Sequence, residues 1–241
     1  MIDAHCHAEH QATFIQFQQL HHIQSILNCD SPEELAFNRQ HAGPGQVLSC
    51  GIHPWHADQE LADAALNQFL TAAPVIGEIG LDSVWTKLPL AVQRPVFLTQ
   101  LAMANTLHKP VIIHTKGCEA EILNIIQEYP KLHILIHWYS SEAFQADYLK
   151  LPNVYFSIGP DLNSDAAVAR LSRTVPLDRV LVESDGLGSI AWARKKDHVN
   201  LADYAITLQA MYAELAAVHH MPEKTFETAV TQNLAAFIAG S

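Results

Sequence analysis

The residues of this chain most suited to chemistry begin with His5 and His7, one position apart. In an extended strand, alternate side chains share a face, so both imidazoles would point one way and Cys6 the other. Two imidazoles on one face can reach one divalent ion. An isolated pair is equally compatible with packing or exposure. Four further ligand-type residues, however, sit where apolar runs stop or within them. Glu78 lies in Gly77-Glu78-Ile79-Gly80-Leu81-Asp82, His114 follows Val111-Ile112-Ile113, and His137 follows Ile134-Leu135-Ile136. Asp185 follows Leu181-Val182-Glu183-Ser184. A glutamate amid Val75, Ile76, Ile79 and Leu81 is costly to bury as an unpaired ion, and one or two cations would remove that cost. The expectation is a two-metal site built from His5, His7, Glu78, His114, His137 and Asp185. Mixed imidazole and carboxylate donors suit zinc, manganese or magnesium, magnesium least.

Other residues near these run ends are expected on the substrate side. His53, in Gly51-Ile52-His53-Pro54, ends one more run, and with six ligands already in place it is read as a substrate contact. Lys116, read as a loop residue just past His114, is placed to reach a phosphate or carboxylate. Trp138, Tyr139 and Trp85 would wall the pocket or stack on a base, and Trp138 is taken as a substrate contact. The other histidines, such as His21, His22, His219 and His220, fall in helical or loop stretches and read as solvated.

The elements that must hold these groups follow from hydrophobic patterning. Short apolar, β-branched runs at 1–5, 23–29, 47–52, 75–81, 111–114, 134–138, 154–158 and 180–183 predict eight strands. Amphipathic stretches between them predict helices. Ser31-Pro32-Glu33-Glu34 reads as a capping box with proline at the first helical position. Leu61, Ala65, Leu66 and Phe69 have helical spacing, as does the series from Leu201 through Tyr204, Leu208, Met211 and Tyr212 to Leu215. A last apolar set, Phe226, Val230, Leu234 and Phe237, predicts an extra C-terminal helix. The same alternation would permit an open doubly wound sheet. Eight strands, with polar residues at several strand ends, favour a single-domain (β/α)8 TIM barrel over residues 1–241.

Composition bounds the partners. The 241 residues are about half hydrophobic, with a formal net charge of −11. That balance argues against a broad electrostatic grip on nucleic acid, while leaving room for a site whose positive charge comes from bound cations. Cys6, Cys29, Cys50 and Cys118 form no C-x-x-C pair, which suits a reducing compartment. No signal-like segment or long apolar run is visible, so a cytoplasmic location without membrane association is expected.

Taken in order, Ile2-Asp3-Ala4-His5-Cys6-His7, Gly51-Ile52-His53-Pro54, Gly77 to Asp82, Gln93, Phe97, Gln100, Leu101, Pro110 to His114, His137, Glu183-Ser184-Asp185 and Asn233 resemble the TatD family of metal-dependent hydrolases. The resemblance covers essentially the whole chain. It implies an amidohydrolase-like barrel, a divalent metal pair and deoxyribonuclease activity working from 3′ ends. It further implies that His5, His7 and Asp185 hold one ion, that His114 and His137 hold the other, and that Glu78 bridges them. The departures from the family pattern include His137-Trp138-Tyr139-Ser140-Ser141 in place of His-Cys-Phe-Ser-Gly, Ser83, Lys116, and Gly186-Leu187-Gly188 after Asp185. They line the substrate side.

The expected reaction is hydrolysis of a phosphodiester at DNA ends, or of another small phosphodiester, by a metal-activated water. Asp185 would orient or deprotonate the water, Glu78 would share its charge between the ions, and His53 and Lys116 would contact the phosphate. One rival keeps the hydrolytic site but cleaves a small amide, lactone or phosphate ester. Another is a metal-binding interaction subunit that does not catalyse.

Overall fold

The computed structural model describes residues 1–59 and 63–240. Eight parallel strands lie in sequential order: β1 (Ile2–His7), β2 (Gln24–Cys29), β3 (Gln46–Cys50), β4 (Val75–Asp82), β5 (Val111–Lys116), β6 (Ile134–Ile136), β7 (Val154–Ile158) and β8 (Val180–Val182). Helices alternate with them: α1 (Ala12–Leu20), α2 (Pro32–His41), α3 (Asp63–Thr71), α4 (Leu90–Leu107), α5 (Glu119–Ile126), α6 (Gln145–Leu149), α7 (Ala166–Thr174) and α8 (Leu187–Ala193). Then α9 (Leu201–Val218) and α10 (Glu223–Ala239) complete a (β/α)8 TIM barrel. Both faces of a parallel sheet are covered here, so β6, β7 and β8 are almost wholly apolar, and all eight residues of β4 are buried.

The seam between the last and first strands is closed by unlike partners. The Asp185 N–H donates to the His5 carbonyl at 3.1 Å. The Asp3 carboxylate accepts from the Ser184 N–H at 2.8 Å and the Ser184 hydroxyl at 2.6 Å. Tyr204 of α9 donates to the same carboxylate at 2.9 Å. The terminal helix behaves as its pattern predicts, with Phe226, Val230, Leu234 and Phe237 all buried. Ser31 caps α2 by accepting from the Glu34 N–H, but the Glu34 carboxylate accepts from the Asp30 N–H rather than closing the box on Ser31. In α3, Phe69 and Leu70 face inward while Ala65 is exposed; Leu61 lies outside the described residues.

Several strand ends differ from the sequence reading, β1 among them, which runs on to His7. β3 stops at Cys50, two residues short of the expected end, and His53 instead caps a 3-10 turn at Pro54–His56. Proline at the first position of that turn has a fixed φ that suits helix entry and no N–H for a ladder. β6 stops at Ile136, because Trp138 has a left-handed backbone with φ 39°. β5 runs further than expected and takes in Lys116, which is therefore a strand residue and not a loop one.

Candidate metal centre

The C-terminal ends of the strands bring the six expected ligands together, and His53 with them. Glu78 sits at the middle, 2 % exposed, and its two carboxylate oxygens face different imidazoles. Oε1 lies 2.8 Å from His137 Nε2, 3.0 Å from His114 Nδ1 and 3.3 Å from His53 Nε2. Oε2 lies 3.2 Å from both His5 Nε2 and His7 Nε2. Asp185 Oδ1 completes the second side, 3.3 Å from His5 and 3.6 Å from His7. Three sets of donors lie within 4.8 Å of one another: His5, His7 and Asp185; His5, Glu78 and His137; and His53, Glu78 and His114.

Strand geometry explains this convergence. His5 and His7 alternate with Cys6, whose thiol turns outward to the Ile26 carbonyl and the Gln18 amide. Gly80 lets β5 come close, since a Cβ there would lie 2.0 Å from the His114 carbonyl oxygen. Two glutamines of α4 fix the neighbouring strand ends. Gln100 exchanges hydrogen bonds with the Ile52 N–H and carbonyl at 2.7 and 3.1 Å, and Gln93 does the same for Asp82 at 2.9 and 2.8 Å. Asn233 donates to the Leu177 and Val180 carbonyls beneath β8. Asp185 has φ 57°, a left-handed conformation that aspartate tolerates better than branched residues.

Several imidazole and carboxylate atoms face one another without hydrogen-bond alignment. His5 Nδ1 and Nε2, His137 Nδ1 and Asp185 Oδ1 are buried and lack a hydrogen-bond partner. Such atoms are costly unless something else satisfies them. Donors aimed at a common centre rather than at each other fit divalent ions, and the imidazole–carboxylate set suits zinc or manganese.

The electrostatics also favour cations at this point. Burial would raise the Glu78 carboxyl, but the charges of His137, His53 and His5 and the His114 hydrogen bond hold it well below its ordinary range. Burial opposes protonation of His7, yet Glu78, Asp30 and Asp185 push it up to about 10. His5, His114 and His137 are raised in the same way against their own burial. For Asp185, burial is outweighed by the close imidazole of His5 and by the charges of His7 and His137, which bring it down to about 2. The carboxylates thus create a field that draws positive charge inward, as protons or as metal ions.

Two orienting carboxylates were not singled out from sequence. Asp82 Oδ2 lies 3.0 Å from His114 Nε2, and it also accepts from the Trp55 indole at 2.7 Å. Glu183 Oε1 lies 3.5 Å from His137 Nδ1. Both belong to quoted motifs, and the signal was their position one strand-end away from a candidate ligand.

The substrate-side residues divide. His53, Lys116, Trp138 and Trp85 line one pocket of about 450 Å³ above the cluster. His53 stands as near Glu78 as the expected ligands do, so its position fits a metal donor as well as a substrate contact. Lys116 donates to the Ser140 hydroxyl at 2.7 Å. Tyr139 does not line the pocket: it is buried against Tyr148 and Phe156, with its hydroxyl on the Ala143 carbonyl. His56, grouped with the solvated histidines, lines the pocket mouth. The four cysteines are free and buried, packing as small apolar residues. Among the described residues, no helix is long and apolar enough to cross a membrane.

Comparison with known proteins agrees with this architecture. The chain is 31 % identical over 143 residues to the uncharacterized metal-dependent hydrolase YabD of Bacillus subtilis, an alignment spanning 56 % of each chain. It is 26 % identical over 158 residues to the human deoxyribonuclease TATDN3, spanning 58 % of each. The chain thus spans little more than half the length of these two relatives. Its fold superposes on YJJV, a TatD homolog from Escherichia coli, with a TM-score of 0.80 at 19 % identity, covering 97 % of this chain and 95 % of the other. With the family model for TatD related DNase matching residues 2–239, the chain belongs to that family of metal-dependent hydrolases.

Proposed function

We propose that the protein is a divalent-metal-dependent phosphodiesterase that removes nucleotides from DNA ends. The observation that carries the reading is the placement of Glu78, whose Oε1 faces His53, His114 and His137 while Oε2 faces His5 and His7. That division fits a metal pair, which His5, His7 and Asp185 on one side and His114 and His137 on the other would hold together with Glu78. Bound there, such ions lower the pKa of water and neutralise charge on phosphoryl oxygens.

The chain's own groups position the rest. Asp185 Oδ2 accepts from the Ser189 hydroxyl at 2.8 Å, which leaves Oδ1 facing the cluster. The surrounding imidazoles hold this carboxyl below its ordinary range, so Asp185 would stay ionised and would orient an attacking water or accept its proton. Lys116 supplies positive charge for a non-bridging phosphate oxygen, and His53 of the same pocket would contact the phosphate as well. Trp138 offers an apolar face to the adjoining base. The relative named deoxyribonuclease supports DNA as the polymer. The net charge of −11 speaks against an extended track along duplex.

The test incubates end-labelled single strands, blunt duplex and closed circles with manganese-loaded protein. Stepwise shortening of single strands with circles intact is expected. Equal cutting of circles, or no cleavage of any nucleic acid, overturns the reading.

A further inference from the structure

All four tryptophans of the chain line the single pocket over the candidate metal centre. They stand 30 to 137 residues apart in sequence, so local chain proximity does not account for the grouping. Ring centroids run from Trp55 to Trp85 at 6.4 Å, from Trp85 to Trp192 at 5.6 Å and from Trp192 to Trp138 at 5.7 Å. Packing alone would bury such large apolar rings. Instead Trp192 remains 58 % exposed, Trp85 50 % and Trp55 42 %. Two of the rings are also anchored at their polar edges. Trp138 donates to Asp161 at 2.7 Å and Trp55 to Asp82 at 2.7 Å, leaving ring surface free to receive a partner.

The charges around this wall limit what can follow the partner in. Lys116 is the one lysine or arginine among the described residues lining the pocket. Its ammonium lies 4.9 Å from the centre of the Trp85 ring, so an anion held by Lys116 would sit beside the aromatic wall. Beyond the candidate ligands, Glu9, Asp30, Asp161 and Asp165 supply four carboxylate side chains to the lining. One phosphate is welcome next to the wall and the next is repelled. A volume of about 450 Å³ is that of a small-molecule pocket, within the usual range of roughly 300–1,000 Å³, not of a strand-binding groove.

From this juxtaposition we propose that Trp85, Trp192 and Trp138 form a nucleobase-stacking wall, and that the preferred substrates are short oligonucleotides of two or a few residues. This rests on the phosphodiesterase reading for the bond cleaved, but the stacking wall is testable without cleavage. The acidic rim makes each added phosphate a liability, while stacking gives affinity to the terminal base whatever its identity.

The experiment titrates the 241-residue chain, followed by tryptophan fluorescence. The ligands are a phosphorothioate-linked thymidine dinucleotide, the matching abasic sugar phosphate, inorganic phosphate and a thymidine 20-mer. Saturable quenching by the dinucleotide is expected, at least tenfold tighter than by the abasic compound. The 20-mer should bind no tighter than the dinucleotide. Trp192→Ala, at an exposed position, should weaken dinucleotide binding about tenfold while circular dichroism stays unchanged. Trp192→Phe should restore most of that loss. Tenfold tighter binding of the 20-mer overturns the length preference. Equal binding of the abasic compound, or no effect of Trp192→Ala, overturns the wall. Failure of DNA cleavage with base-dependent quenching intact would overturn the phosphodiesterase reading alone.

Discussion

Asp82 holds His114 from behind, its Oδ2 lying 3.0 Å from the ring's Nε2 while Nδ1 faces Glu78 at the same distance. The carboxylate is itself fixed by the Val84 and Trp85 N–H groups at 2.7 and 2.8 Å and by the Trp55 indole. A neutral imidazole held this way keeps its proton on Nε2 and leaves Nδ1 as a free donor pair, the arrangement that orients metal-ligating histidines. Asp82→Asn should therefore lower metal affinity roughly 10–100-fold without unfolding the protein. Competition with a chromophoric chelator measures it, and unchanged affinity would remove Asp82 from the site.

Glu78→Gln should cost more activity than any single histidine substitution, on the order of a hundredfold or more. Glutamine keeps the shape but not the charge set between the two groups of imidazoles. Steady-state rates and metal content across the series decide the matter. Near-normal activity in the Glu78 variant would rule out a shared ligand.

Lys116→Ala should raise KM and lower turnover by about tenfold while metal content stays at the parental level. Because few phosphates are neutralised, the logarithm of DNA affinity should fall with the logarithm of salt with a slope of about −1. A slope several times steeper would reveal a basic track that the pocket does not contain.

Asp161 ties the pocket wall to pH. Burial pushes its carboxyl up to about 6, over the opposing hydrogen bond from Trp138. The folded protein then binds this proton more tightly than the unfolded chain does. Its contribution to stability is complete below about pH 4 and is lost as pH rises through about 6, on the order of 2 kcal/mol. Urea unfolding of the parent and of Asp161→Asn from pH 4 to 7 tests the sign. An identical pH slope in both proteins would refute it.

The barrel was legible because both of its signals are local. Apolar runs at 111–114 and 154–158 end within two residues of the observed strands, since strands buried on both sides leave no room for polar interruption. The ligand-type residues were legible for the converse reason, polar groups at the ends of apolar runs. What sequence did not reveal depends on contacts between distant segments. Glu183 behind His137 and His53 beside Glu78 are placed by how the segments after β8 and β3 leave the barrel, and the grouping of Trp55, Trp85, Trp138 and Trp192 by how four separate segments after the strands, α8 among them, meet at one pocket. Tyr139 was expected at the pocket from its place beside Trp138, but the backbone turns left-handed at Trp138 and Tyr139 packs into the interior.

Gly159 offers a further test of the wall. A Cβ at this position would lie 2.7 Å from three atoms of the Trp138 indole. Gly159→Ala should displace that ring, destabilise the protein by about 1–3 kcal/mol and shift its fluorescence. Unaltered emission would mean that the ring is not held against the Gly159 backbone.

The seam between Asp3 and Ser184 joins residues 181 positions apart, and the neighbouring His5 and Asp185 face each other across it. One half of the candidate centre is therefore divided between β1 and the segment that follows β8. A chain lacking β8 and the residues after it would carry His5, His7, Glu78, His114 and His137 but not Asp185, the second carboxylate beside His5 and His7. If ions bind as proposed, full occupancy would report that β1 and β8 have met, and a barrel still open at this seam would lack that half of the centre.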